Sequence, residues 1–388
     1  MSKLKKCAFL KLAIGIVVLI SCTDVFAQNA ISTGVPFLLI GPNSRFSAMG
    51  ETGTAIADDA TAMHWNPSGL AFQEQGTEVN FTHSPWLAGL GISDLFYDYL
   101  AAKKPIKSIN GTVGIDFTYL NIGEVIYRDE FGNADPSKDY KAYEFAVALA
   151  YATKVSDNLG LGLTTRFIYS RLSPNSLNVG NEKGTGTAFT TSFDISALYK
   201  PKFGFKDSTY KPTKFWGKVL KVVGHLVPDN FGINLSNLGP KISYVDAAQA
   251  DPIPTQLRIG FAYRVFKNQG NELTLTGDFS KLLVNRFGVG ESDPFYKAIF
   301  TSWKGGPSGI GRTVQSSIGA EYWYGSPKLI ALRAGYFYED PSNGNRKYIT
   351  LGAGLRYSLY GFDFSYINTI EENHPLANTL RFGIIVNF

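Results

Sequence analysis

Cysteine is almost missing from the sequence: Cys7 and Cys22 are its two examples in 388 residues, and both precede residue 28. With residues 1–27 set aside, disulfides, thiolate metal sites and cysteine nucleophiles are excluded. Histidine is scarce too. His64, His83, His225 and His374 lie far apart, without the spacing of a metal or catalytic cluster. Charged residues make up only 18% of the chain, and no apolar run of about 20 residues follows the first 27. A polytopic helical membrane protein is therefore excluded. A membrane β-barrel is not, because its alternating strands average to neutral hydropathy.

What the chain has in quantity is glycine and aromatics: 40 Gly, 28 Phe and 21 Tyr, with 44% hydrophobic residues. That composition argues against a helical bundle and against disorder. The length suits two or three ordinary domains or one large closed sheet. Residues 1–27 read as a secretory signal, with Lys3, Lys5 and Lys6 before the apolar stretch from Leu12 to Ile20 and a cleavage site after Ala27. The run Leu19-Ile20-Ser21-Cys22 also reads as a lipobox, with Cys22 as the lipidated residue. Removing residues 1–27 takes away four lysines and one aspartate and leaves a net charge of +2. That is no footprint for nucleic acid.

From residue 77 onward one pattern repeats, a run of about ten residues alternating apolar with small or polar, followed by a turn. Val113, Ile115, Phe117 and Tyr119 share one face; Thr112, Gly114, Asp116 and Thr118 share the other. Fourteen such runs fall near 77–84, 91–102, 110–128, 141–154, 158–172, 187–200, 230–245, 255–267, 271–284, 313–325, 328–339, 346–360, 361–371 and 378–388. Links after even-numbered runs are mostly short, as at 155–157, 268–270, Ser326-Pro327 and the Tyr360-Gly361 corner. Links after odd-numbered runs are longer, as at 129–140, 173–186 and 285–312. An even count, alternating link lengths and a last run ending in Phe388 define an all-β expectation. It is a 14-stranded antiparallel transmembrane outer-membrane β-barrel over 77–388, with residues 28–76 as an N-terminal plug.

If the apolar face meets lipid, the lumen receives Asp116, Glu144, Asp194, Asp278, Glu321 and Asp363 together with Arg166, Arg258, Arg264, Arg333, Arg356 and Arg381. Arg suits buried bidentate pairing with carboxylates. The balance of six acids and six bases points to a salt-bridged interior packed around the plug. An ion-selective pore would carry one dominant sign.

Residues 28–76 lack strand alternation. Asp58, Asp59 and His64 supply no third metal ligand, and Asp58-Asp59 reads as capping or a solvated turn. Phe37, Leu38, Met49 and Trp65 read as the plug's own core. The Ala- and Gly-rich run closing on Asn66-Pro67-Ser68-Gly69-Leu70-Ala71 resembles the hatch of the FadL-like outer-membrane proteins, fourteen-stranded barrels with an N-terminal plug. More narrowly, PFLLIGPNSRFSAMGETGTA at 36–55 and DDATAMHWNPSGLAF at 58–72 resemble the PorV/PorQ family of type IX secretion outer-membrane proteins. The resemblance implies a non-enzymatic barrel without cofactor that associates with the translocon barrel. Such a protein accepts secreted proteins through their C-terminal signal domain and delivers them to the surface attachment complex. The alternative implied by the broader family is diffusion of fatty acids or other hydrophobic small molecules.

One link breaks the alternation. The sixth and seventh runs are joined by a basic insert, 200–230, whose seven lysines face Asp207 and Asp229. After Pro212, a helix would set Phe215, Trp216, Val219 and Leu220 opposite Lys214, Lys218 and Lys221. This division suits outer-membrane lipid at the interface or the barrel floor, and also a partner contact through Lys214, Trp216, Lys218 and Lys221. At the other end, the 285–312 loop offers Phe295, Tyr296, Phe300 and Trp303 after Asp293-Pro294. These aromatics are candidate protein contacts, or else a cover for the barrel mouth. A rim hydrolase would need His83, Ser84 and His374 to meet across the first and last strands.

Overall fold

The computed structural model describes residues 33–87, 94–128, 131–173, 177–179, 182–202, 227–245, 247–287, 291–304, 309–371 and 374–388. The signal and lipobox readings at 1–27 lie outside these residues, as does most of the basic insert, including Lys214, Trp216, Lys218 and Lys221.

Fourteen strands close an antiparallel barrel. They are β1 Glu78–Pro85, β2 Phe96–Ile106, β3 Gly111–Val125, β4 Tyr140–Ser156, β5 Leu159–Arg171, β6 Thr187–Tyr199 and β7 Asn230–Leu238. The second half comprises β8 Gln256–Lys267, β9 Asn271–Leu282, β10 Val314–Tyr324, β11 Ile330–Tyr338, β12 Lys347–Tyr357, β13 Tyr360–Thr369 and β14 Thr379–Asn387. Each strand pairs with its sequence neighbours, and β1 pairs with β14 to complete the circle. Just beyond that seam, Thr77 and Phe388 exchange two backbone hydrogen bonds of 3.2 and 2.8 Å. Closure leaves no unpaired edge, as a sheet in hydrocarbon requires. No helix among the described residues is long and apolar enough to cross a membrane.

The barrel is inside out relative to a soluble protein. On β3, Thr112, Gly114, Asp116 and Thr118 are buried, while Ile115 and Phe117 are 49% and 40% exposed. The same alternation runs through the other strands, so the apolar face is a lipid-facing wall.

Several strand boundaries differ from the sequence reading. The second strand is Phe96–Ile106 and not 91–102, because its alternation continues through Tyr97, Tyr99, Ala101 and Lys103 as the inward set. The seventh stops at Leu238 and not 245, where Asn237 is left-handed and Gly239-Pro240 follows. The β12–β13 turn lies at Ser358-Leu359, two residues before the expected Tyr360-Gly361 corner. The loop after β5 carries a small hairpin, Leu177–Val179 with Glu182–Gly184, that was not foreseen.

Residues 33–76 fill the barrel with short pieces: α1 Ser44–Ser47, α2 Ala62–Trp65 and 3₁₀ turns at Pro36–Leu39 and Pro67–Phe72. Phe37, Phe46, Met49, Met63, Trp65 and Leu70 are each 1% exposed or less. They form the plug's core against the small inward residues of the wall.

Candidate functional site

The plug is seated by backbone contact. Wall glycines give it room: a Cβ built on Gly162 would fall within 3 Å of the Ser68 nitrogen, and one on Gly232 within 3 Å of the Thr54 carbonyl. Gly335 likewise faces the backbone of Met49 and Gly50. Only residues without a side chain allow two backbones to approach so closely.

The Asn66-Pro67-Ser68-Gly69 run holds this seat together. Asn66 Nδ2 donates to the carbonyls of Thr54 (2.7 Å) and Ala197 (3.2 Å), joining plug to wall. Its Oδ1 accepts from the Ser68 nitrogen and hydroxyl, and Ser68 N also donates to Ser196 Oγ at 2.9 Å. Pro67 opens the 3₁₀ turn, and a Cβ on Gly69 would collide with the Ala57 carbonyl. All four residues are buried. They are plug-seating residues, held away from any ligand surface.

Charge makes the second set of ties. Arg45 of the plug grips Glu321 of β10 through two bonds of 2.8 and 2.9 Å and reaches Asp58 (2.5 Å) and Asp59 (3.0 Å). Burial works against the Arg45 charge, yet Asp58, Glu321 and Asp59 together hold its pKa well above the usual value. Glu321 also accepts from Arg333 (2.9 Å), which reaches Asp363 (2.7 Å), itself clasped by Arg356. The Asp58-Asp59 pair divides: Asp58 stays exposed, whereas Asp59 is 6% exposed, accepts from Thr61 N and Oγ1 just before α2 as the capping reading expects, and also pairs with Arg45.

The six acids and six bases do not pair one to one. Asp194, Glu321 and Asp363 meet arginines. Asp278 instead takes the plug's Gly53 N, Thr54 N and Thr54 Oγ1, all at 2.7–3.0 Å. Glu144 accepts from Ser170, and Asp116 from Tyr99. Arg264 shares the inward parity of Arg258 but does not lie among the buried lumen charges. It sits at the short-turn rim, half exposed, 3.5 Å from Glu272, because β8 extends beyond the plugged interior there.

Above the plug, at the long-loop end, a cavity of about 390 Å³ opens. Its walls include Pro36, Leu39, Ile40, Trp86, Leu282 and Leu376, with Glu51, Glu339 and Arg346 as its charged members. A cavity of about 20 Å³ shares Leu39, Glu51 and Arg346 with it, and a further one of about 10 Å³ shares only Gln256 and Arg258 with that second cavity; both are lined mainly by polar groups such as Arg258, Asp278 and Arg166. The smaller holds no more than a water molecule.

Outside the mouth, α3 (Phe295–Thr301) stands on the β9–β10 loop. Asp293 anchors it by accepting from Asn285 (2.8 Å), Thr301 (2.6 Å) and Lys297 (2.7 Å). Lys241 ties down the Ser292 carbonyl at 2.7 Å. Tyr296 and Phe300 are 64% and 76% exposed on this rigid mount, and Trp303 38%. Phe295 is half buried beside Ala298 and points back toward the barrel. The mouth is therefore not closed over by Tyr296 and Phe300.

Hydrogen bonds from Lys297, then Thr301 and Asn285, hold the Asp293 carboxyl below its usual range. Its anchoring is accordingly present above the ordinary carboxylate pKa and is lost as pH falls through the depressed folded value. Asp293→Ala should free the helix, and limited proteolysis should cut the 291–304 segment several-fold faster in that variant than in the parent.

The hydrolase arrangement is not assembled. His83 faces outward and bonds Asp98, whereas Ser84 faces inward and donates to the Leu380 carbonyl. His374 Nδ1 accepts from the Leu376 nitrogen in its own loop. His64 is partly buried on α2, where desolvation followed by the charges of Arg258, Arg166 and Arg381 holds its pKa well below the usual value. Among the described residues no group of three His, Cys, Asp or Glu could hold a metal.

Fold and site define a plugged, fourteen-stranded barrel of outer-membrane type, sealed by backbone packing and buried ion pairs. Residues 24–287 match the family model described as Type IX secretion system protein PorV. The chain belongs to the PorV family of type IX secretion proteins. No curated protein matches the sequence. Similar solved structures include the Ralstonia pickettii toluene transporter TbuX, with TM-score 0.47, 13% identity, and coverage of 90% of this chain and 98% of that one. A Pseudomonas aeruginosa FadL homologue gives TM-score 0.47, 11% identity, and coverage of 89% and 98%. The Pseudomonas putida toluene transporter TodX gives TM-score 0.49, 9% identity, and coverage of 89% and 96%.

Proposed function

We propose that this protein resides in the outer membrane as a non-enzymatic docking and shuttle component of type IX secretion. It binds secreted proteins through their C-terminal signal domain beside the translocon barrel and passes them to the surface attachment complex. The observation that carries this reading over small-molecule transport is the sealed interior. The spaces among the buried charged groups are separate cavities of about 20 and 10 Å³, whereas diffusion of a hydrophobic solute needs a continuous apolar way through. A closed barrel acts through its surfaces. Here the rigid mount of Tyr296, Phe300 and Trp303 supplies aromatic anchors at the mouth, where binding energy concentrates.

The purified barrel is expected to retain a secreted protein bearing the C-terminal domain and, in planar bilayers, to pass no steady ionic current. Free conduction without cargo retention would reverse the assignment in favour of transport. Tyr296→Ala with Phe300→Ala should lower cargo or translocon recovery by about tenfold while leaving the folded barrel intact, the loss expected for a pair of hot-spot aromatics.

A further inference from the structure

Two neighbouring turns at the short-turn end of the barrel are bonded to each other. Gly325 N, in the β10–β11 turn, donates to the Gly270 carbonyl of the β8–β9 turn at 2.8 Å. Around this joint three cations meet one carboxylate: Arg264 Nε, Lys267 Nζ and Lys328 Nζ each stand 3.5 Å from Glu272. The three basic side chains are exposed, whereas that of Glu272 is mostly buried. Directly opposite Glu272 in the register is Trp323, 5% exposed. Lys328 Nζ lies over its ring at 5.2 Å, and its Nε1–H is buried without an acceptor.

One acid against three bases leaves this cluster with a surplus of two positive charges. The contacts are also longer than close charge-assisted bonds, which run to about 2.9 Å. Arg356, which shares the Trp323 ring, is by contrast clasped by Asp363 at 2.7 and 3.0 Å. Guanidinium, ammonium and indole N–H groups are donors only, so what they lack is an acceptor. Donors converging from two turns suit an anion with several oxygens, and phosphate is such a group. Tyr324, Tyr357 and Tyr360 are exposed at this end of the wall, and tyrosines so placed mark the level of lipid headgroups.

We infer that the joined β8–β9 and β10–β11 turns form a site for the phosphate group of an anionic phospholipid. Arg264, Lys267 and Lys328 are its charged contacts, and the Trp323 N–H is a further donor. Glu272 gathers the three bases so that they meet the headgroup together. From the reading above this takes only the barrel's place in a membrane, and nothing in it depends on secretion.

Native mass spectrometry of the detergent-folded full barrel, titrated with dihexanoyl-phosphatidylglycerol, tests the site. The parent is expected to retain one such lipid and to retain no dihexanoyl-phosphatidylcholine, whose choline charge opposes the surplus. The triple variant Arg264→Gln, Lys267→Gln, Lys328→Gln should keep the folded, heat-shifted band and lose the adduct about a hundredfold, and Lys328→Gln alone should lower it about fivefold. Lys104→Gln, Lys107→Gln, Lys202→Gln removes as much charge from exposed positions elsewhere at the same end and should leave the adduct as in the parent. Equal retention of the two lipids, equal losses from the two triple variants, or an unchanged adduct in the first would each overturn the inference. Inorganic phosphate titrated alone separates the sources: a phosphate adduct without lipid retention would overturn the assignment to a headgroup.

Discussion

Gly335→Val is expected to abolish barrel assembly, with the heat-shifted folded band falling more than tenfold. A Cβ at Gly335 would lie within 3 Å of the Gly50 nitrogen and of Met49 backbone atoms. Gly50 has little room to retreat: its φ is +69°, and even a Cβ on Gly50 would fall within 3 Å of the backbone of Tyr336 and Ile318. Backbone meets backbone on both sides, so no rotamer change relieves the clash, and overpacking of this kind is absorbed only by shifting strands. Gly270 makes the control. A Cβ there meets nothing within 4 Å, and Gly270→Ala in the β8–β9 turn should assemble as the parent does.

Glu321→Ala should be the most destabilising of the single charge removals, costing about 3 kcal/mol in a reversible denaturant titration of the detergent-folded barrel. Glu321 is 4% exposed and joins two guanidinium groups, Arg45 from the plug and Arg333 from β11. Breaking a buried pair from one side typically costs about 3–5 kcal/mol, because the orphaned charge stays buried. The low end applies, since Asp58 and Asp59 remain beside Arg45, and Asp363 beside Arg333. A loss below about 0.5 kcal/mol, the scale of ordinary surface substitutions, would show that the plug is not held through this tie.

The strands were legible because a barrel wall obeys a period of two with little interruption. From Thr112 to Leu120 on β3 and from Ala142 to Ala152 on β4 every inward and outward assignment follows from the alternation alone. It fails at the register shifts between Asn121 and Gly123 and between Lys154 and Ser156. Where alternation weakens, so does the reading: β2 is displaced by several residues because its inward Lys103 looks like a break when its tie to the Gln75 carbonyl is unseen. The plug's course was not legible. Its helices are single turns held by Asn66, Asp278 and Arg45, whose partners lie 12 to 276 residues away in the chain. Arg45 itself was passed over for the same reason, since nothing local distinguishes an arginine next to Phe46 from one on a surface. The motif at 66–69 was found by resemblance, but its role in seating the plug emerges only from the wall glycines opposite it. The exposed aromatics of 295–303 were visible as composition, and their significance depends on the Asp293 anchor that makes them rigid.

The most direct measurement is mass spectrometry of periplasmic and surface fractions from a strain lacking this gene. The account predicts that proteins bearing the C-terminal secretion domain accumulate in the periplasm and disappear from the surface. An unchanged surface proteome, with growth lost only on long-chain fatty acids or other hydrophobic substrates, would contradict it and identify a transporter.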